Sequence, residues 1–387
     1  MKRYRIAVML PAYSSHGGAE RFGYLFSAEM AERGHQTDFI CSRQEAEAVP
    51  WVNVITVGWS KGHGRMAMIN FANNAETLRE IGEYDCAISL GKTLSQDILR
   101  VSRAPLREFL RCSEQPLPYG PSRWFRNMLH SLKYADRLTL EIEDQQFHSG
   151  CKIVAVSHFI RDLTLKTYPH LKAEDIDVVY NQPDLARFYA PDPEQIRAGR
   201  EALGIAPDIL AVGQATSKFM LKCTGPMLET IKNFPDNVHF YVAGEGDHKR
   251  YDRMAVTLGL GKRVHFLGKV ENMPRFYHAL DVFALPTYYD ACSNATLEAL
   301  ATGLPVLSSV ANGASYFLPR ENIAADPANP AELTKILEKL LAQAENNKAA
   351  ASRPEFVWPD AVKAGVSSFA DLVETFIEQK KSLVRSI

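Results

Sequence analysis

Cysteine is scarce in this chain and follows no pattern. Six occur in 387 residues, at 41, 86, 112, 151, 223 and 292, with no C-x-x-C pair and no zinc-like grouping. That spacing argues against a disulfide framework and a thiolate metal site. The thiols read as small buried hydrophobes in a reducing cytoplasm. No apolar run approaches the roughly 18 residues needed to cross a bilayer. The apolar run after the basic start Met1–Arg5 is too short for a secretory signal and leads into Pro11. Excess charge is also missing. Lys and Arg total 44 against 45 Asp and Glu, so nothing draws the whole chain to nucleic acid or to an anionic surface. No Gly-x-Gly-x-x-Gly follows any strand-like run, which disfavours nicotinamide-dependent oxidoreduction. His16, His35, His63, His130, His148 and His158 lack ligand spacing, and no metal is expected.

What is present is an alternation of short β-branched runs and longer helical stretches. Hydrophobic residues make up 46% of the chain, enough to fill two cores at this length. Ile6–Leu10, Thr37–Ile40, Val54–Val57, Ala87–Leu90, Ile153–Val156 and Asp177–Tyr180 read as strands of a first half. Ile209–Val212, His239–Ala243, Val264–Leu267, Val282–Leu285 and Pro305–Ser308 read as strands of a second. This βαβα rhythm predicts an α/β protein of two Rossmann-like, doubly wound domains facing a central cleft, with ligands at the carboxyl ends of the strands. The predicted boundaries are 1–185, 186–358, and a last segment, 359–387, packing back toward the first domain. The Pro- and Asp-rich stretch Tyr189–Glu194 reads as the linker, and Lys380–Arg385 as a frayed tail.

Two stretches carry chemistry. After the first strand, Gly17 and Gly18 open a helix, letting the backbone approach a ligand whose anionic part the helix end favours. In the second half, Ser293 or Asn294 caps a helix that stops at Gly303. Its first turn offers N–H groups to a diphosphate. Glu298 sits in its second turn amid Ala and Leu, where a carboxylate needs hydroxyl partners such as those of a ribose. Asp290, just before the helix, is placed to accept from sugar hydroxyls. A third stretch, Arg123–Arg137, sets Arg123, Arg126, His130, Lys133 and Arg137 on one helical face and Trp124, Phe125, Met128, Leu129 and Leu132 on another. It suits either packing on a core or contact with an anionic membrane.

On the Gly17–Arg21 turn and the Asp290–Glu298 spacing, an acid, seven residues, then Glu, the chain resembles retaining glycosyltransferase family four, nearest the lipopolysaccharide-core glucosyltransferase I group. The resemblance implies a GT-B fold, a nucleoside diphosphate sugar donor without a metal, and a glycolipid or saccharide acceptor. It implies a cytoplasmic enzyme, peripheral on the inner membrane face, with no nucleic-acid partner. Glu298 would hold the ribose, and Asp290 the donor sugar or its developing positive charge. Cys292, Ser293 and Asn294 would offer backbone N–H groups to sugar and phosphates. Lys222 would neutralise the leaving diphosphate, and Gly244 would lie in the loop near the base. Asn181 would mark the domain junction, and His16 and Asp97 are the first candidates for acid–base work. Front-face displacement, in which a donor phosphate oxygen takes the acceptor proton, demands no side-chain base. The chain also departs from the pattern. Leu221-Lys222-Cys223 replaces Arg-Lys-Gly, Gln182 and Pro183 follow Asn181, Ser102–Leu106 replaces Gly-Asp-Gly-x-His, and Tyr316 stands where an acid is usual. These losses open an altered substrate, or a catalytically silent relative that binds nucleotide-sugar or partners another transferase; another GT-B enzyme, such as a nucleotide-sugar epimerase, is a third reading.

Overall fold

The structure, a computed structural model, describes residues 2–57, 64–116, 134–349 and 353–385. The Arg123–Arg137 segment lies outside these residues apart from its last turn, which opens a helix over Tyr134–His148. The chain separates into two compact units. One comprises Met1–Leu110, Tyr119–Asn181 and Asp360–Ile387, and the other Arg111–Pro118 and Gln182–Pro359.

The first unit contains strands β1 (Arg5–Met9), β2 (Ala12–Tyr13), β3 (Gln36–Cys41), β4 (Arg43–Gln44), β5 (Val52–Thr56), β6 (Cys86–Ser89), β7 (Ile98–Val101), β8 (Lys152–Ala155) and β9 (Ile176–Val178). Seven form one sheet in the order β5-β3-β1-β6-β7-β8-β9, and β2 and β4 form a small ribbon. Each pairing is parallel. Such a sheet is covered on both faces, which is why Ile6 to Met9 are all fully buried. Strand β7 has no counterpart in the apolar pattern because Arg100 interrupts it. The fold buries Arg100 to 3% exposure, laying its guanidinium 3.5 Å from the centre of the Phe22 ring and donating to Asn181 Oδ1 at 2.9 Å.

Helix α1 (Ala19–Glu32) buries Phe22, Phe26 and Met30. Against it packs the last helix, which runs over Gly365–Arg385. Phe369, Val373 and Ile377 recur every fourth residue on that helix and are fully buried, with the Phe369 ring 4.9 Å from Phe26. Side chains of this size contribute about 1.5–3 kcal/mol each when buried. The tail expected to fray is instead helical and pinned: Lys380 reaches Asp97 and Lys381 reaches Asp85, each at 2.7 Å.

The second unit holds β10 (Leu210–Ala215), β11 (Val238–Ala243), β12 (Val264–Gly268), β13 (Val282–Ala284), β14 (Val306–Ser309) and β15 (Ile323–Ala324). Their order is β12-β11-β10-β13-β14-β15, again all parallel. In both sheets the first strand lies centrally, the next two build outward on one side, and the rest on the other. The crossovers therefore part between β1 and β6, and between β10 and β13, leaving a crevice at each carboxyl end. The Tyr189–Glu194 stretch is folded into this unit rather than serving as a linker. Asp192 and Gln195 form a capping box on the Pro193–Ala202 helix, and the Tyr189 ring lies 5.9 Å from His278.

Candidate functional site

The carboxyl ends of β10, β11, β13 and β14 converge at the second unit's crevice. The loop after β13 leads into the Asn294–Ala301 helix, whose N-cap is Ser293, its Oγ accepting the Thr296 N–H at 3.2 Å. Asp290 is bridged to Asn312, with its N–H donating to Ala311 O at 2.8 Å and its carbonyl accepting from Gly313 at 2.9 Å. The loop after β10 is sewn to this one. Leu221 O accepts both the Tyr288 N–H at 3.0 Å and the Thr287 hydroxyl at 3.1 Å.

These stitches bring Lys222 to Asp290. The ammonium is 2.5 Å from Asp290 Oδ2 and 3.0 Å from Tyr289 O, with the two side chains 10% and 23% exposed. Asp290 Oδ1 accepts the Cys292 N–H at 3.3 Å. Cys223, where the family pattern has glycine, adopts φ +51°, a left-handed conformation that costs an L residue about 1–2 kcal/mol. Burial also pushes its thiol pKa well up, so it is no nucleophile.

Glu298 lies where the helix phase requires, in the second turn. Its hydroxyl partner comes from the protein: the fully buried Tyr277 donates to Glu298 Oε2 at 2.9 Å. Burial and the adjacent carboxylate hold that phenol well above its ordinary pKa. Of the backbone donors expected to face a ligand, Cys292 N–H is held by Asp290. The Ser293 N–H donates to Asn312 Oδ1 at 3.2 Å, while its Oγ caps the helix as the sequence leads one to expect. Asn294, at the helix start, is exposed. Gly244 follows β11 at φ +124°. A Cβ there would stand 2.2 Å from Thr216 O, so only glycine lets the β10 and β11 loops meet.

Two supporting residues take their roles from partners distant in sequence. Asn312 is 2% exposed, and its amide donates to Thr296 Oγ1 at 3.1 Å and Ser308 Oγ at 2.9 Å. Tyr277 comes from a short helix before β13.

In the first unit, Gly17 (φ +89°) and Gly18 precede α1, and Gly18 caps that helix without a side chain. His16 is exposed in the same loop, its Nδ1 3.0 Å from Ser15 Oγ. Asn181 is held by Arg100. Asp97 is not with them. It precedes β7, so it lies at the amino end of the sheet, opposite the Gly17–Gly18 loop. There it accepts the Ala87 N–H at 2.8 Å and binds Lys380. The expectation of a base at Asp97 is corrected on that ground: its carboxylate fastens the last helix. Among the described residues no cluster of three or more His, Cys, Asp or Glu is placed to hold a metal, and no helix is long and apolar enough to cross a membrane.

Residues 206–343 match the model of the family Glycosyl transferases group 1. Over this segment the chain is similar to the group 1 glycosyltransferases. Among curated proteins, the chain is 27% identical over 161 residues to lipopolysaccharide glucosyltransferase WaaG of Escherichia coli (strain K12), covering 39% of this chain and 43% of that one. It is 25% identical over 169 residues to the lipopolysaccharide core biosynthesis glycosyltransferase LpsE of Rhizobium meliloti (strain 1021), covering 43% of this chain. The chain thus spans 43% and 45% of the lengths of these two relatives. The crystal structure of WaaG superposes with a TM-score of 0.74 at 20% identity, over 89% of this chain and 93% of that one. Anabaena HepE in complex with UDP and glucose gives 0.64 at 18% identity, over 99% and 100%. At such identities the likeness shows the fold, which is GT-B.

Proposed function

We propose that the chain is a retaining, metal-independent glycosyltransferase that moves a hexose from a nucleoside diphosphate sugar to a glycolipid or saccharide acceptor, in lipopolysaccharide core or another cell-surface glycan. The observation that carries this reading is the Lys222–Asp290 pair beside Glu298 on a capped helix, at the crevice of a segment similar to the group 1 glycosyltransferases. Lys222 meets the charge that grows on the departing diphosphate, as preorganised cations do in group transfer. Glu298, oriented by Tyr277, accepts from the ribose hydroxyls. Asp290 faces the sugar as positive charge develops there. A donor phosphate oxygen takes the acceptor proton, so no side-chain base is required. The names of the relatives support the acceptor class, and the UDP and UDP-glucose complexes of HepE support the donor class. Arg123–Arg137 supplies contact with an anionic leaflet at about 1 kcal/mol per cation.

The test is a panel of nucleotide-sugars read by thermal shift and by transfer to lipopolysaccharide core. One donor raises the melting temperature and is turned over, and Lys222→Ala lowers kcat far more than donor affinity. Stabilisation without turnover identifies a silent, nucleotide-binding relative. No stabilisation by any donor refutes both readings.

A further inference from the structure

The first unit contains a buried ion pair outside the site described above. Lys92 follows β6, and its Nζ lies 2.5 Å from Glu143 Oε1, with side chains 20% and 3% exposed. The second Glu143 oxygen accepts the Leu106 N–H at 2.9 Å. One turn further along the same helix, Gln146 donates to Gly91 O at 3.1 Å and to Thr93 Oγ1 at 3.4 Å. The pair is thus rigidly framed on three sides.

Stability alone does not account for it. Removing two charges from water is costly, and apolar residues of similar volume often serve a fold as well or better. Its position suggests a use instead. Lys92 stands at the carboxyl end of β6, beside β1, where the crossovers of this sheet part and open α/β sheets take their ligands. The loops after β1 and β6 touch there, since a Cβ on Gly91 would lie 3.1 Å from Pro11 Cδ. Charge points the same way. Glu143 has committed both oxygens, whereas an ammonium carries three donors and Lys92 spends one on Glu143 among the described residues. Burial lowers the Lys92 pKa, Glu143 sustains its charge, and Arg103 is close enough to add a second positive field there.

We propose that Lys92, held by Glu143, binds an oxyanion of the acceptor, a carboxylate or a phosphate, at the carboxyl end of β6. The inference rests on the transferase reading for the ligand's identity as acceptor. It makes the acceptor acidic and gives the first unit a binding residue in place of the missing Asp and His.

The probe is core oligosaccharide released from lipopolysaccharide, used native, carboxyl-reduced and phosphatase-treated. Calorimetric binding compares the wild-type full chain with Lys92→Arg and with the double variant Lys92→Met/Glu143→Leu, which keeps volume and leaves no orphan charge. The native oligosaccharide is expected to bind the double variant about tenfold more weakly, a loss of one charge-assisted contact. Lys92→Arg retains most of the affinity. The treated form that binds wild type more weakly identifies the oxyanion. An unchanged melting temperature and unchanged nucleoside diphosphate affinity show that the double variant is folded. Should it fail to fold, Lys92→Gln replaces it and the same affinity ratio decides. Equal affinity of variant and wild type, equal binding of all three oligosaccharides, or no binding by wild type overturns the inference. Lys92-dependent binding without sugar transfer leaves it standing and removes the transferase reading instead.

Discussion

Asp290→Asn is expected to bind nucleoside diphosphate more tightly than the wild-type chain while losing turnover. The Asp290 carboxylate occupies the cation that a diphosphate needs, with Lys222 Nζ 2.5 Å from Asp290 Oδ2. An incoming diphosphate must share that cation and approach a like charge. Two unit charges about 4 Å apart at an effective dielectric of about 20 interact by about 4 kcal/mol. Rearrangement and salt relieve most of this, and about a third of it, roughly 1.4 kcal/mol, is about tenfold in Kd. Asparagine keeps the shape but has a single acceptor oxygen, so it keeps the contact with Lys222 or with the Cys292 N–H and turns its NH2 toward the other donor, at a cost to the fold of about 1–3 kcal/mol. The chemical step loses the carboxylate facing the developing positive charge, at a cost of about a hundredfold in kcat. The assay is calorimetric titration of wild type, Asp290→Asn and Lys222→Ala with the diphosphate of the preferred donor at one salt concentration, alongside transfer rates. Unchanged or weaker binding by Asp290→Asn would refute the argument that the pair competes with the ligand.

Two further outcomes follow from the same unit. Tyr277→Phe removes the hydroxyl that orients Glu298, lowering stability by about 1–2 kcal/mol in urea melts and weakening nucleoside diphosphate binding several-fold. Glu298→Gln weakens binding at least as much, and unaltered affinity in both variants would detach Glu298 from the nucleoside. His278 is 7% exposed, its Nε2 has no partner among the described residues, and burial with the nearby Arg353 lowers its pKa to about 4. A histidine whose folded pKa lies below its unfolded value contributes stability above the unfolded value, near 6.5. That stability is lost as pH falls toward 4, by about 2 kcal/mol at pH 5. His278→Gln should flatten that acid limb in denaturant titrations, and an unchanged slope would show that His278 is not the group responsible.

Much of the second unit was legible in sequence, because its strands are continuous apolar runs and the helix at Asn294 announces itself by its cap. The phase of that helix also set Glu298 correctly. What escaped depends on contacts distant in sequence. Arg100 hid β7, since nothing local shows that Phe22 and Asn181 will shelter its charge. The polarity of β7 decided Asp97, because a residue before a parallel strand faces the pole opposite one that follows it. Tyr277 lies in a segment without motif and Asn312 four residues before Tyr316, and only contacts distant in sequence, Tyr277 with Glu298 and Asn312 with Thr296 and Ser308, give them their roles. The apolar neighbours of the carboxylate at 298 imply a hydroxyl partner, and the chain supplies one in Tyr277.

The return of the last helix bears on how the molecule assembles. Phe22 and Phe26 emerge early in synthesis, yet the partner ring that covers them, Phe369, is translated only after every residue of the second unit. The second unit, nearly contiguous in sequence, can close its interior while the first still exposes an aromatic face. The unit begun before the other is thus the later to mature, and a stop codon shortly after Pro359 would leave that face bare and prone to aggregate.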